Sequence, residues 1–279
     1  MNQSQEREFF KIVKGYDAIL LDAYGVLINE SEPLPGAIEA IEYLQTQRKP
    51  FLILTNGSSR SLDETSQKYR ELGLNIPADQ IVSSGSIIPE FIKFKGWQGK
   101  HMAVLGTAAS HNFVSEGGGI PVSPLETRNY EFVVIANQTT YPLLETLDEV
   151  ISNIFERIDQ GSNCTIILSN PDIIYPKAKN DVGITAGMIA SILETALKTR
   201  YHRIPIEIHR LGKPSPYIFQ HALKKLACSR VLMVGDQLKT DIAGANNVGI
   251  DSLLLKSGVF QGSESGEDFP EPTFILESL

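Results

Sequence analysis

The feature that most constrains this chain is a recurring unit: four or so apolar residues in a row, followed at once by a carboxylate, hydroxyl or amide. Ala18–Leu21 runs into Asp22, Phe51–Leu54 into Thr55 and Asn56, and Val231–Val234 into Gly235 and Asp236. Runs this short, with no polar residue alternating through them, fit strands buried on both faces, as in a parallel sheet covered by helices. The intervening segments have helical character. Ile38, Ile41 and Leu44 recur at helical spacing, Ser61 and Glu64 form a capping box, and Gly73 stands where that helix would stop. The pattern predicts an α/β doubly wound parallel sheet, in which ligands bind beyond the carboxyl ends of the strands. Those are the ends that carry the polar residues here.

The middle of the chain repeats the alternation, with strands expected at Met102–Leu105, Phe132–Ile135 and Thr165–Leu168 and helices at 108–116, 143–159 and 186–199. This is enough for a second α/β unit, flanked by linker-like stretches at 95–100 and 199–205. From Ile206 the first pattern resumes: a strand at Ile206–Ile208, a loop at Gly212–Pro216, a helix at 216–226, the strand 231–234 and a helix at about 240–247. A strand at 252–255, a polar loop at 261–270 and a short last segment at 273–276 complete the chain.

Composition narrows the function classes. At 279 residues and 42% hydrophobic, the chain can bury two cores. A formal net charge of −8 argues against nucleic acid or an anionic membrane as the partner, while leaving room for a small anionic ligand held by local positive charge. Cys164 and Cys228 lie far apart with no metal-binding or redox spacing. The N-terminal stretch is polar, and no apolar run approaches a membrane span, so the chain reads as a soluble cytoplasmic protein.

Four elements at or just after strand ends are candidates for chemistry: Asp22; Thr55 with Asn56; Lys213; and Asp236 with Asp241. Each alone is an ordinary turn or capping residue. As an ordered set they are more specific. Converging carboxylates hold Mg²⁺, a lysine holds phosphate as a point charge, and a threonine hydroxyl with the next backbone N–H binds a phosphoryl oxygen.

In this ordered set the chain resembles the haloacid dehalogenase superfamily, specifically the class with a large α/β cap inserted between the second and third motifs. Asp22 matches the nucleophile motif, Leu54–Asn56 the second, Gly212–Pro214 the third, and Gly235–Asp241 the fourth. The resemblance implies a Rossmann-like core over 1–83 and 204–279 with a cap over 84–203. It implies that Asp22 attacks phosphorus to form an aspartyl phosphate. Mg²⁺ would be held by Asp22, the backbone carbonyl of Tyr24 and Asp236, with Asp241 as a direct or outer partner. Thr55, the Asn56 N–H and Lys213 would hold the phosphoryl group of a small phosphorylated metabolite. In the cap, Asn170 and Asp172, with Tyr175, would meet the substrate's other end. Caps of this class commonly take part in homodimers.

Tyr24 departs from the pattern, since the family's phosphatases carry Asp two residues after the nucleophile, as acid and then base. A phenol donates a proton but is a poor base near neutrality, which implies slowed turnover of the intermediate. Two other readings accommodate Tyr24: a phosphate-ligand sensor without useful turnover, and a 2-haloacid dehalogenase, whose first motif resembles Asp22–Gly25. Against the latter, those enzymes need no metal and carry a small helical cap. His101, His111, His202, His209 and His221 show no metal-ligand spacing and read as solvated or core histidines.

Overall fold

The computed structural model describes residues 8–178, 181–201, 206–256 and 270–279. His202, most of the 199–205 linker and all but the last residue of the loop expected at 261–270 lie outside the described residues. The elements run in order α1 (Glu8–Lys14), β1 (Ala18–Leu21), α2 (Ala37–Thr46), β2 (Phe51–Thr55), α3 (Leu62–Glu71), β3 (Ile81–Ser83) and α4 (Ile88–Lys95). There follow β4 (His101–Leu105), α5 (Ala108–Glu116), β5 (Ile120–Val122), β6 (Phe132–Ile135), α6 (Leu143–Asp159), β7 (Thr165–Leu168), β8 (Ile174–Ala178), β9 (Asp181–Ile184) and α7 (Ala186–Arg200). The chain closes with β10 (Glu207–Arg210), α8 (Pro216–Leu226), β11 (Val231–Gly235), α9 (Ala243–Val248), β12 (Asp251–Leu255) and β13 (Phe274–Leu276).

Among the described residues the strands form a six-stranded parallel sheet of order β13-β12-β11-β1-β2-β3 and a five-stranded parallel sheet of order β10-β7-β6-β4-β5. A small antiparallel pair, β8-β9, stands apart. In the first sheet the chain winds outward from β1 through β2 to β3, then returns at β11 and winds the other way. The topological switch point therefore falls between β1 and β11, where Leu21 pairs with Val234. Asp22 and Asp236 leave adjacent strands at that crevice.

The strands are apolar throughout because both of their faces are buried. Ile19, Leu21, Ile53, Leu232 and Val234 point into one core with α1 and α2. Their neighbours Leu20, Leu52, Leu54 and Met233 point into a second. That second cluster does not end with the first sheet. It includes Phe91 of α4, Phe113 of α5 and Phe219 of α8, and continues to Met102, Val104, Phe132, Val134 and Ile167 on one face of the second sheet. The opposite face of the second sheet, with Ala103, Val133, Ile135 and Ile166, packs on α6 and α7. The molecule is thus layered helix, sheet, helix, sheet, helix, with the middle helical layer shared.

One strand changes sheets relative to the sequence pattern. The segment at Ile206–Ile208 was expected to resume the first sheet, but β10 pairs with β7 at the edge of the second. Exposed Glu207 and Arg210 mark it as an edge strand, and periodicity carries no information about which sheet an edge strand joins. The expected helix at about 240–247 also differs. It begins as a π-helical turn at Leu238–Ile242 before α9.

Leu54 is fully buried in the shared cluster. Leu54→Ala is expected to lower unfolding free energy by about 2–5 kcal/mol, through lost burial and the cavity left behind. Urea unfolding of the purified chain measures it.

Candidate active site

Three strand ends of the first sheet and one of the second converge. Asp22 follows β1, its N–H continuing the ladder to the Val234 carbonyl at 2.9 Å. Thr55 ends β2 and Asn56 follows it. Asp236 follows β11. Lys213 arrives from the second sheet: after β10 the ladder runs on through Leu211 N–H to the Leu168 carbonyl and Gly212 N–H to the Ser169 carbonyl, each at 2.9 Å.

Lys213 is 2% exposed, and its ammonium donates to Asp22 Oδ1 and to Asp241 Oδ1, each at 2.6 Å. The other oxygen of Asp241 accepts from the N–H groups of Asp236 and Gln237 at 3.2 Å. The π-helical turn is what folds Asp241 back over the end of β11 to receive them. Burial pushes the Asp22 carboxyl up to about 7, the Asp241 charge adding to the effect while the Lys213 ammonium opposes it. Burial works against the Lys213 ammonium, but Asp22 and Asp241 outweigh it and hold its pKa above the usual lysine range.

Asp22, Asp236 and Asp241 are all buried, and one oxygen from each lies within 4.8 Å of the others. The close approach depends on glycine. A Cβ at Gly25, whose φ is +87°, would stand 2.1 Å from Asp236 Oδ2, and one at Gly235 would stand 2.2 Å from Asp241 Cβ. A compact set of oxygen donors with no nitrogen or sulfur suits a hard divalent cation.

Asn56 ties the two sheets together at this point. Its Oδ1 accepts the Lys213 N–H at 2.7 Å, and its Nδ2 donates to the Lys213 carbonyl at 3.1 Å and to Asp172 Oδ1 at 2.9 Å. Asp172, whose pKa is raised by burial, is positioned in turn by Asn170 Oδ1, which accepts its N–H at 2.9 Å, and by the Thr185 hydroxyl on its carbonyl. Thr55 Oγ1 accepts the Gly57 N–H at 3.2 Å.

Asp22, Thr55, Asn56 and Lys213 floor a cavity of about 590 Å³. That volume matches a small-molecule site. Asp236 and Asp241 are fully buried and lie off its wall. Tyr24, Asn170, Asp172 and Tyr175 line it, so the ten residues singled out in the sequence fall at this one place. The walls also carry residues with no motif to announce them: Arg60, Lys68 and Glu71 from around α3, and Asn137 and Gln138 after β6. They sit on the cavity only because of how α3 and the second sheet are placed. His209 is elsewhere, against Phe91 and Trp97, and Arg210 pairs with Glu194.

Comparison with known proteins agrees with this geometry. Residues 19–119 match the family model described as haloacid dehalogenase-like hydrolase, and residues 210–279 match a second model of haloacid dehalogenase-like hydrolases. The acid sugar phosphatase of Staphylococcus saprophyticus is 29% identical over 269 residues, 96% of each chain, and the dihydroxyacetone phosphatase of Corynebacterium glutamicum is 28% identical over 93% of this chain and 88% of that protein. A crystal structure from Cytophaga hutchinsonii, described as a possible sugar phosphatase of the haloacid dehalogenase superfamily, superposes with a TM-score of 0.83 at 30% identity, covering 98% of both chains. The glycerol phosphate phosphatase of Mycobacterium tuberculosis, crystallised with magnesium, gives 0.81 at 27% identity over 96% of this chain and 76% of that one. With its four motifs gathered at the switch point of a doubly wound sheet, and matched end to end by these relatives, this chain belongs to the haloacid dehalogenase superfamily.

Proposed function

We propose that this protein is a Mg²⁺-dependent phosphatase of small phosphate monoesters, sugar or polyol phosphates in the cytoplasm, working through an aspartyl phosphate on Asp22. The observation that carries the reading is the Asp22–Lys213–Asp241 contact with Asp236 beside it, at the floor of a cavity sized for a metabolite. Relatives and structural neighbours named as sugar, dihydroxyacetone and glycerol phosphate phosphatases support the substrate class.

Each residue's role follows from its chemistry. Asp22, on the cavity floor, is the nucleophile: its oxygen bonds to phosphorus as the ester oxygen departs. Lys213 holds the phosphoryl group as a point charge, and the Thr55 hydroxyl and Asn56 N–H bind its oxygens. Phosphoryl transfer is mainly positioning and charge compensation, which these groups supply. Asp22, the Tyr24 carbonyl and Asp236 would hold the cation, with Asp241 behind them. A bound Mg²⁺ would add compensation of the phosphoryl oxygens' charge. Tyr24 takes the place of a carboxylate acid and base, so the second step, hydrolysis of the acyl phosphate, is the slow one. Asn170, Asp172 and Tyr175 face the substrate's other end, where a polar wall suits a hydroxylated molecule. Dehalogenation fits less well, since the three-carboxylate cluster has no task in a metal-free reaction and the second unit is a parallel sheet rather than a small helical cap.

Two outcomes test this. Release of inorganic phosphate from a panel of sugar and polyol phosphates should require Mg²⁺, stop with chelator, and fall by at least about 10³-fold in Asp22→Asn; metal-independent halide release from 2-haloacids would overturn the reading. Asn56→Ala should leave the buried Lys213 N–H without its acceptor, costing about 1–3 kcal/mol of stability. It should also lower kcat through loss of the lysine's placement. Thermal unfolding and kinetics on the same preparation separate the two effects.

A further inference from the structure

Tyr24 does not point into the cavity unattended. Lys68, on α3, donates from Nζ to the Tyr24 hydroxyl at 2.7 Å, and both residues line the cavity that holds Asp22. The ammonium is 5.1 Å from the ring centroid, which places it out past the hydroxyl rather than over the ring face. Among the described residues no carboxylate lies within ion-pairing distance of Lys68, so the tyrosine oxygen is its partner there. The other end of Tyr24 is fixed as well: its ring packs on the first core and its backbone bridges to Ile28.

The direction of this hydrogen bond has a consequence. An ammonium has three donors and no acceptor, so the phenolic oxygen must accept, and the phenol's own hydrogen is left to donate elsewhere. Tyr24 stands two residues beyond the nucleophile on the same cavity wall, where an ester's departing oxygen would need a hydrogen. A cation bonded to the phenolic oxygen also makes that O–H a better donor, because negative charge developing on the oxygen is met by positive charge already in place.

We propose that Lys68 is the positioning residue for Tyr24, holding and polarising its hydroxyl so that the phenol serves the leaving-group oxygen. The proposal rests on the phosphatase reading above. As the Asp22 oxygen–phosphorus bond forms, the phosphorus–ester oxygen bond breaks, and the departing oxygen takes the phenolic hydrogen with the bonding electrons it carries away. Tyr24 then regains its proton from solvent, and in the second step a water oxygen bonds to phosphorus as the phosphorus–Asp22 oxygen bond breaks, its proton going to solvent, so one turn consumes one water and releases alcohol and phosphate. Lys68 adds charge and aim without touching the reacting atoms.

The test is a leaving-group series on the full chain with Mg²⁺: p-nitrophenyl, phenyl and benzyl phosphates, similar in shape and graded in their need for protonation. The quantity read is kcat/KM, which reports the step in which the ester oxygen leaves. Lys68→Met and Tyr24→Phe should each lose about 10–100-fold with benzyl phosphate and less than about threefold with p-nitrophenyl phosphate, within the range of general acid catalysis. The double variant should lose no more than Tyr24→Phe alone, and Lys68→Arg should restore most of the benzyl activity. Equal losses across the series would show a structural or substrate-binding role and overturn the proposal, as would additive losses in the double variant. Asp22→Asn serves as the separate control. If it keeps turnover, the phosphatase mechanism itself falls; if it is inactive while Lys68→Met is flat across the series, only the Lys68 role falls.

Discussion

Everything at the site hangs on one buried ammonium placed between two buried carboxylates. Lys213 bridges Asp22 and Asp241 with side chains that are almost wholly removed from water. Such a group is a poor source of stability, because the hydration lost by the charges offsets most of their attraction unless the geometry is held closely. The surrounding chain supplies that hold. Asn56 grips both backbone groups of Lys213, the N–H groups of Asp236 and Gln237 cap the far oxygen of Asp241, and Gly25 and Gly235 let the loops come near enough for the carboxylates to meet. These are costs that a chain selected for stability alone would shed, which is why the cluster reads as machinery.

The lysine's route explains why the molecule has two stacked sheets rather than one. Asp22, Thr55 and Asp236 come from the first sheet, while Lys213 comes off β10 of the second, and Asp172 follows β7 of the same sheet. The carboxyl ends of both sheets therefore open on a single cavity, floored by one and walled by the other. The hydrophobic layer of α4, α5 and α8 packs against both sheets, so the burial that stabilises the fold also sets the register between Asp22 and Lys213. The Asn56–Asp172 hydrogen bond repeats that connection in polar form, at the cavity itself.

Much of this was legible in the sequence, and the missing parts share a cause. Four-residue apolar runs reveal strands buried on both faces, and a polar residue just after each run reveals where ligands meet the sheet, so Asp22, Thr55 and Asp236 stand out without any coordinates, while Lys213 stands out only through its Gly212–Pro214 motif. Sheet membership of β10 does not, because an edge strand with exposed Glu207 and Arg210 presents the same local pattern beside either sheet. The π-helical turn at Leu238–Ile242 is equally silent, being created by where Asp241 finds donors rather than by residue propensities. Lys68 lies on a polar helix whose charged residues all look like solvent-facing ones. Only the placement of α3 over Tyr24 separates it from Lys11 or Lys93 on other helices.

That placement bears on why a tyrosine is workable beside Asp22. A carboxylate at position 24 would add a further negative charge near three that already crowd the switch point, and Lys68 would then serve as its counter-ion. A phenol adds no charge. Lys68 then has no counter-ion at Tyr24: the phenolic oxygen fixes its position beside the cavity without cancelling its charge, which suits an anionic ligand. On the proposed mechanism, what is given up is a ready base for the second half of the reaction, since a phenol yields its proton reluctantly near neutrality. On that mechanism, the exchange favours capture and transfer of the phosphoryl group over its release.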